Sequence, residues 1–137
     1  MNEQIITQAA KVIADAGYCV LALIDTDEYP TAATISPSKT EGIASVTFCT
    51  GLGSNWAERV EKCSRASVCF NSDTYNITLV GDIEILTDIE TKKSMWYDGM
   101  GSYFSGPEDH GFCVLRFTTK RYSLMLEESN GVFRGEI

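Results

Sequence analysis

The chain has 137 residues, 44% of them hydrophobic and 22% charged, with a formal net charge of −8. This is the size and composition of one soluble globular domain over residues 1–137, and no run approaches the roughly 18 apolar residues of a membrane helix. The acid excess, the scattered Lys and Arg residues, the lack of any C-x-x-C pair and the single histidine, His110, exclude a nucleic-acid partner, a disulfide framework and a metal centre.

Ile5, Ile6, Ala9, Val12, Ile13 and Ala16 recur at three- and four-residue spacing, which predicts an amphipathic helix from Asn2 to Ala16, closed by Gly17 as a C-cap. Asn2, Glu3 and Gln4 after Met1 have neither the basic nor the apolar character of a secretory leader, so the cytoplasm is the expected compartment. Tyr18 to Ile24 is continuously apolar, as in a strand buried on both faces. The polar stretch Asp25-Thr26-Asp27-Glu28-Tyr29-Pro30 then reads as a solvated hairpin tip. Thr31 to Ser36 returns as a second strand, Pro37 to Gly42 is a loop and Ile43 to Cys49 a third strand, so these three are expected to form a meander.

Ser54 or Asn55 caps a second helix reaching Cys63, with Trp56, Val60 and Cys63 on one side. Ala66 to Phe70 and Tyr75 to Leu86 are predicted strands, and Gly81 inside the latter marks a bulge or bend. Asp88 caps a third helix carrying Ile89, Lys92, Lys93, Met95 and Trp96, which dissolves near Gly99 and Gly101 into an irregular loop containing Pro107. Phe112 to Leu126 is a long strand, and Ser129-Asn130-Gly131 signals a hairpin into Val132 to Arg134. Strands paired in sequence, helices inserted singly and no β–α alternation describe a mainly β domain, a small antiparallel barrel with flanking helices. Cys19, Cys49, Cys69 and Cys113 fall in apolar strands and read, with Cys63, as reduced and mostly buried thiols.

One segment has the makings of a binding site. Val46-Thr47-Phe48-Cys49-Thr50-Gly51-Leu52-Gly53-Ser54-Asn55 runs from a strand through a glycine-rich turn into a helix. Unpaired N–H groups of a helix's first turn point outward, and the aligned peptide dipoles add roughly half a positive charge, so such a start holds an anion without a basic side chain. Read alone, the segment is more simply an ordinary Ser- or Asn-capped turn. Trp56 and Trp96 serve as core anchors or as cofactor contacts, while His110 reads as an exposed loop residue with no catalytic role.

In order and spacing, the chain resembles the FMN-binding split-barrel family related to pyridoxamine 5′-phosphate oxidase, in particular its short general stress protein members. The resemblance is carried by Tyr29-Pro30, by Phe48-Cys49-Thr50 followed by Ser54, and by Val68-Cys69-Phe70-Asn71. Leu79-Val80-Gly81-Asp82-Ile83-Glu84, Lys93-Ser94-Met95-Trp96 and Gly106-Pro107-Glu108-Asp109 complete it over nearly the whole chain. It implies an antiparallel split β-barrel and a homodimer with two FMN molecules in clefts between subunits. It further implies a phosphate held by Thr50 to Trp56, through Thr50, Ser54, Asn55 and Trp56, and by Ala33 to Ser36. The flavin ring would lie over the backbone of Thr34, Ile35, Phe48 and Cys49, with Trp96 near the partner's cofactor. Family members commonly carry an arginine and a lysine where this chain has Ala33 and Trp56. Losing two charge-assisted hydrogen bonds of about 1.5–3 kcal/mol each lowers FMN affinity unless Arg59, Lys39 or backbone donors substitute.

The resemblance implies a flavin-dependent oxidoreductase of unknown substrate, in which the cofactor carries the chemistry and no triad, paired carboxylates or metal is needed. No basic cluster in the sequence suits a second, substrate phosphate. The alternative is a non-catalytic dimer that binds flavin, haem or another planar ligand in a stress-related role.

Overall fold

The computed structural model describes residues 2–127, 129 and 131–137. Helix α1 (Asn2–Asp15) buries Ala9 and Ile13 fully and rests Ile5, Ile6 and Val12 on the same core. Gly17 follows it without a left-handed φ; the helix closes instead through the Ala16 amide, which donates to the Ile13 carbonyl at 3.2 Å. Strands β1 (Cys19–Ile24) and β2 (Pro30–Ile35) form the expected hairpin, in register from Cys19 opposite Ile35 to Ile24 opposite Pro30. At its tip the Asp25 carboxylate accepts from the amides of Asp27 and Tyr29, both at 2.9 Å, and Glu28 takes the left-handed conformation at φ 69°. β1 is buried on one face only, through Cys19, Leu21 and Leu23.

The meander ends with that hairpin. A short strand β3 (Lys39–Glu41) forms inside the expected loop and pairs with β4 (Ser45–Gly51), whereas β2 pairs only with β1. The second edge of β1 goes to β5 (Arg65–Asn71), β5 pairs with β6 (Asn76–Leu86), β6 with β7 (Phe112–Met125), and β7 with β4. The order is β2-β1-β5-β6-β7-β4-β3, with β8 (Phe133–Glu136) beside the far half of β7. Eight antiparallel strands curl around one core, and the sheet ends unjoined at β2 and β3, as a split barrel requires. Of the expected Ser129-Asn130-Gly131 turn, Asn130 lies outside the described residues; the Ser129 hydroxyl donates to the Leu126 and Gly131 carbonyls at 2.8 and 3.0 Å.

Gly81 marks a bulge, as its place in a strand foretold. The β6–β7 register slips between Val80 and Gly81, leaving Lys120 as the extra residue on β7. A Cβ on Gly81 would overlap the Thr118 carbonyl, so the close backbone approach admits only glycine. Thr119, buried beside it, donates to the Ile43 carbonyl at 2.6 Å and ties the bulge to the β3–β4 turn.

Helix α2 (Asn55–Lys62) packs on β1, β4 and β6. Helix α3 (Ile89–Met95) and a 3₁₀ turn (Asp98–Ser102) cover the opposite face of β4 and β7, where Met100, Phe112 and Val114 form a second core with Cys49, Leu86, Met95, Trp96 and Phe104.

Candidate functional site

The β4–α2 junction is built as the sequence predicts. Ser54 is the N-cap: its Oγ accepts from the Ala57 amide at 3.2 Å and from the Thr50 hydroxyl at 3.1 Å. With two bonds accepted, the Ser54 O–H remains a donor. The turn is anchored on the Gly111 carbonyl by the Leu52 amide at 2.8 Å, and the Ser54 amide donates to Gly51 at 3.0 Å. No partner among the described residues takes the amides of Gly53, Asn55 and Trp56. A Cβ on Gly53 would meet nothing within 4 Å. Three amides without a partner among the described residues and a hydroxyl therefore lie at the positive end of a helix dipole, a donor set that suits a phosphate. Glu58, also in the first turn, opposes the anion.

The other expected site residues divide among several environments. Ala33 and Thr34 are exposed on the edge strand β2, which lies one strand from α2 through β1. Ser36 follows β2 directly and is exposed. Ile35 and Trp56 are half-buried against the main core. The Phe48 side chain is fully inside that core and offers an incoming ring only backbone. Cys49 points to the opposite side, where its Sγ lies 3.9 Å from the Met95 carbonyl and shares the second core with Trp96. Beyond Thr47, no strand among the described residues pairs with β4 on its β3 side, so Cys49 and Thr50 border an open sheet edge.

Trp96 stands edge-on to Phe112, with ring centres 5.6 Å apart, and Phe104 tilts onto the same ring at 5.2 Å. Beneath them is a residue whose role periodicity did not reveal. Lys92 is only 5% exposed; its Nζ lies 5.7 Å from the Phe112 ring centre and donates to the Asp109 carbonyl at 2.8 Å. Its partners, Asp109 in the loop before β7 and Phe112 at the start of β7, are far along the chain, so no local signal marks it. Ile89-Glu90-Thr91-Lys92-Lys93-Ser94-Met95 is mostly polar, so a lysine within it gives no trace of burial.

Of the thiols, Cys19 and Cys113 are buried and Cys49, Cys63 and Cys69 half-buried, fewer fully buried than expected. Burial pushes Cys19 up to about 12 and Cys113 to about 11 and also raises Cys49, so these three are protonated at neutral pH and poor nucleophiles. Asp25, Asp27 and Glu28 sit at the β1–β2 hairpin tip, and His110 is exposed in the loop before β7. Among the described residues no three His, Cys, Asp or Glu side chains gather to hold a metal ion, and no helix is long and apolar enough to cross a membrane.

The sequence model of the family described as pyridoxamine 5′-phosphate oxidase like matches residues 4–124. No curated protein matches significantly. Among solved structures, the chain is similar to a Clostridium acetobutylicum protein related to general stress protein 26 of B. subtilis, with TM-score 0.84, 21% identity and 100% and 97% of the two chains covered. A pyridoxamine 5′-phosphate oxidase-related, FMN binding protein of Nostoc punctiforme aligns with TM-score 0.71, 14% identity and coverage of 97% and 87%. A heme binding protein of Mycobacterium smegmatis aligns with TM-score 0.74 and 15% identity over 96% of this chain and 57% of that one.

Proposed function

Because this chain belongs to the pyridoxamine 5′-phosphate oxidase like family, we propose that it binds FMN as a homodimer, with the phosphate at the β4–α2 junction and the cofactor cleft between subunits. The single observation that carries this reading is the set of unpartnered amides at Gly53, Asn55 and Trp56 beside the polarised Ser54 hydroxyl. The Asn55 side chain completes the phosphate set, and Thr50 supports it by donating to Ser54 Oγ, which leaves the Ser54 O–H for the phosphate. The ring lies along the backbone of Thr34, Ile35, Phe48 and Cys49, and Ala33 and Ser36 border it. Trp96 is held toward a partner's cofactor by its packing on Phe112.

Assembly is supported by the edges of the sheet. β2 has a free outer edge and exposes Ala32, Ala33 and Thr34, small side chains that leave an unpaired strand accessible. Such an edge is normally blunted by charge or covered, and a second copy covers it. The protein's part is then to bind, orient and screen the flavin, which supplies electron or hydride chemistry when bound; the cytoplasm is the proposed compartment. This makes the protein a flavin-dependent oxidoreductase whose substrate the junction does not name.

A second reading is favoured by Ala33 and Trp56, which place no cation at the phosphate. In it the same dimer holds flavin, haem or another planar ligand without catalysis. Purified protein titrated with FMN and then with a reduced nicotinamide separates the two: quenched flavin fluorescence followed by bleaching supports the enzyme, and a haem spectrum without flavin supports the binder. No FMN binding at micromolar concentration sinks the first reading. Light scattering after size exclusion should give about twice the 15.1 kDa monomer; a stable monomer removes the intersubunit cleft.

A further inference from the structure

Four of the Lys and Arg residues, scattered in the sequence, gather in space. On a regular strand Lys120 and Arg121 would point to opposite faces, but the bulge opposite Gly81 turns both outward. There they meet Arg65 from β5 and Arg134 from β8 along two adjoining hollows of about 430 and 360 Å³, which share Val80 and Arg121. Four of the chain's eleven cations thus line one stretch of an otherwise acidic molecule.

Two carboxylates share the stretch. Asp82 is neutralised by Lys120, with Nζ 2.7 Å from its oxygen. Glu136 stands opposite Arg121 in the β7–β8 register but makes no ion pair with it. Among the described residues Arg65, Arg121 and Arg134 have no ion-pair partner at all. Between the cations the floor is apolar and small: Ala22 and Ile24 of β1, Pro30 of β2 and Val80 of β6. Among the described residues no helix packs over it: α1 and α2 bury their apolar residues in the main core, and α3 covers only the other end of β7's outer face, at Phe112 and Val114.

Arg65 faces Asp82 and Arg121 faces Val80 across the sheet. The two arginines are therefore separated by about 10 Å across the strands and about 7 Å along them, a span their long stems close on one anion. We infer that this groove is a binding site for a small organic anion, in which a phosphate or carboxylate group sits between Arg65 and Arg121 and an apolar body lies on Val80, Ala22 and Ile24. Charge complementarity selects the anion, since unpaired guanidinium groups favour bidentate oxygen acceptors. The apolar floor selects a ligand with a flat hydrophobic part over a bare ion. This site is separate from the β4–α2 junction and does not depend on FMN binding there.

The probes are phenyl phosphate and inorganic phosphate, titrated into ¹⁵N-labelled protein while amide resonances are followed. Saturable shifts at Ser67, Val80 and Arg121 are expected, with phenyl phosphate bound about tenfold more tightly than inorganic phosphate. The double variant Arg65→Gln/Arg121→Gln should weaken phenyl phosphate binding at least about tenfold, at an unchanged thermal midpoint. Lys11→Gln, on α1, should leave it unchanged. FMN titrated into the double variant should bind as to the parent, so failure of either site is read independently. The inference is overturned by shifts that do not saturate, by shifts confined to Gly53–Trp56, by equal affinity for the two phosphates, or by a double variant that binds phenyl phosphate as the parent does.

Discussion

Lys92 and Asp109 clasp α3 to the loop before β7: the lysine Nζ donates to the Asp109 carbonyl at 2.8 Å, with the Phe112 ring 5.7 Å away. The Asp109 carboxylate completes the clasp by accepting from the Gly111 amide at 2.8 Å, the Ser105 amide at 2.9 Å and the Ser105 hydroxyl at 3.2 Å. Trp96 and Phe104 keep their positions on Phe112 because the segment between them is held at both ends.

Lys92→Met preserves most of the apolar stem and removes the ammonium. It leaves the Asp109 carbonyl without its donor and Phe112 without its cation, so a loss of about 1–3 kcal/mol is expected in urea unfolding. The near-ultraviolet circular dichroism of Trp96 should weaken with it. Unchanged stability and an unchanged spectrum would show that the clasp is dispensable.

Asp109 and Asp88 carry a pH dependence whose sign follows from their partners. Hydrogen bonds from the Ser105 and Gly111 amides hold Asp109 below the ordinary carboxylate range, and those from the Thr91 amide and hydroxyl do the same for Asp88. A depressed folded pKa contributes stability that is present above the unfolded value of about 3.9 and is lost as pH falls through the folded one. Thermal midpoints of the parent should therefore fall on acidification below about pH 4, and the gap between parent and Asp109→Asn should close over that range. A gap constant from neutral pH to below the folded pKa contradicts the assignment.

Gly81→Ala sets a methyl group against the Thr118 carbonyl. Backbone cannot yield as a side-chain tip does, so the bulge must shift, at an expected cost of about 1–3 kcal/mol or more in denaturant unfolding. Gly53→Ala meets open space and serves as the comparison, expected to change stability little. Equal effects of the two would mean that the bulge is not tightly constrained.

At the junction, Trp56→Lys supplies the cation the helix start lacks. FMN affinity measured by fluorescence quenching should rise about 10- to 100-fold, corresponding to a charge-assisted bond of about 1.5–3 kcal/mol. Ser54→Ala should act in the opposite sense and also cost about 1 kcal/mol of stability as a lost N-cap. If neither variant changes FMN affinity, the phosphate does not bind there.

Alternation and capping residues were enough to place most elements. Ser54 and Asp88 cap their helices as expected, and Gly81 lies at a bulge. These are local facts: a cap accepts an amide three residues on, and glycine in a strand marks close backbone approach. β3 escaped notice because three residues carry too little pattern. The expected meander failed because pairing partners are chosen by which apolar face completes the core, and β4 finds Leu115 and Phe117 on β7, far along the chain.

What the sequence determined by itself was the inventory: an acidic, mainly β domain, a capped helix start after a glycine turn, and the family's order of segments. Tertiary structure decided which residues share a space. It put Phe48 inside the core and Cys49 beside Trp96, although the two are neighbours, because a strand sends successive side chains to opposite faces of a sheet covered on both sides here. It buried Lys92 under a loop and gathered Arg65, Lys120, Arg121 and Arg134 on one face. Long-range register and one extra residue at the bulge set those meetings, and neither has a local signature.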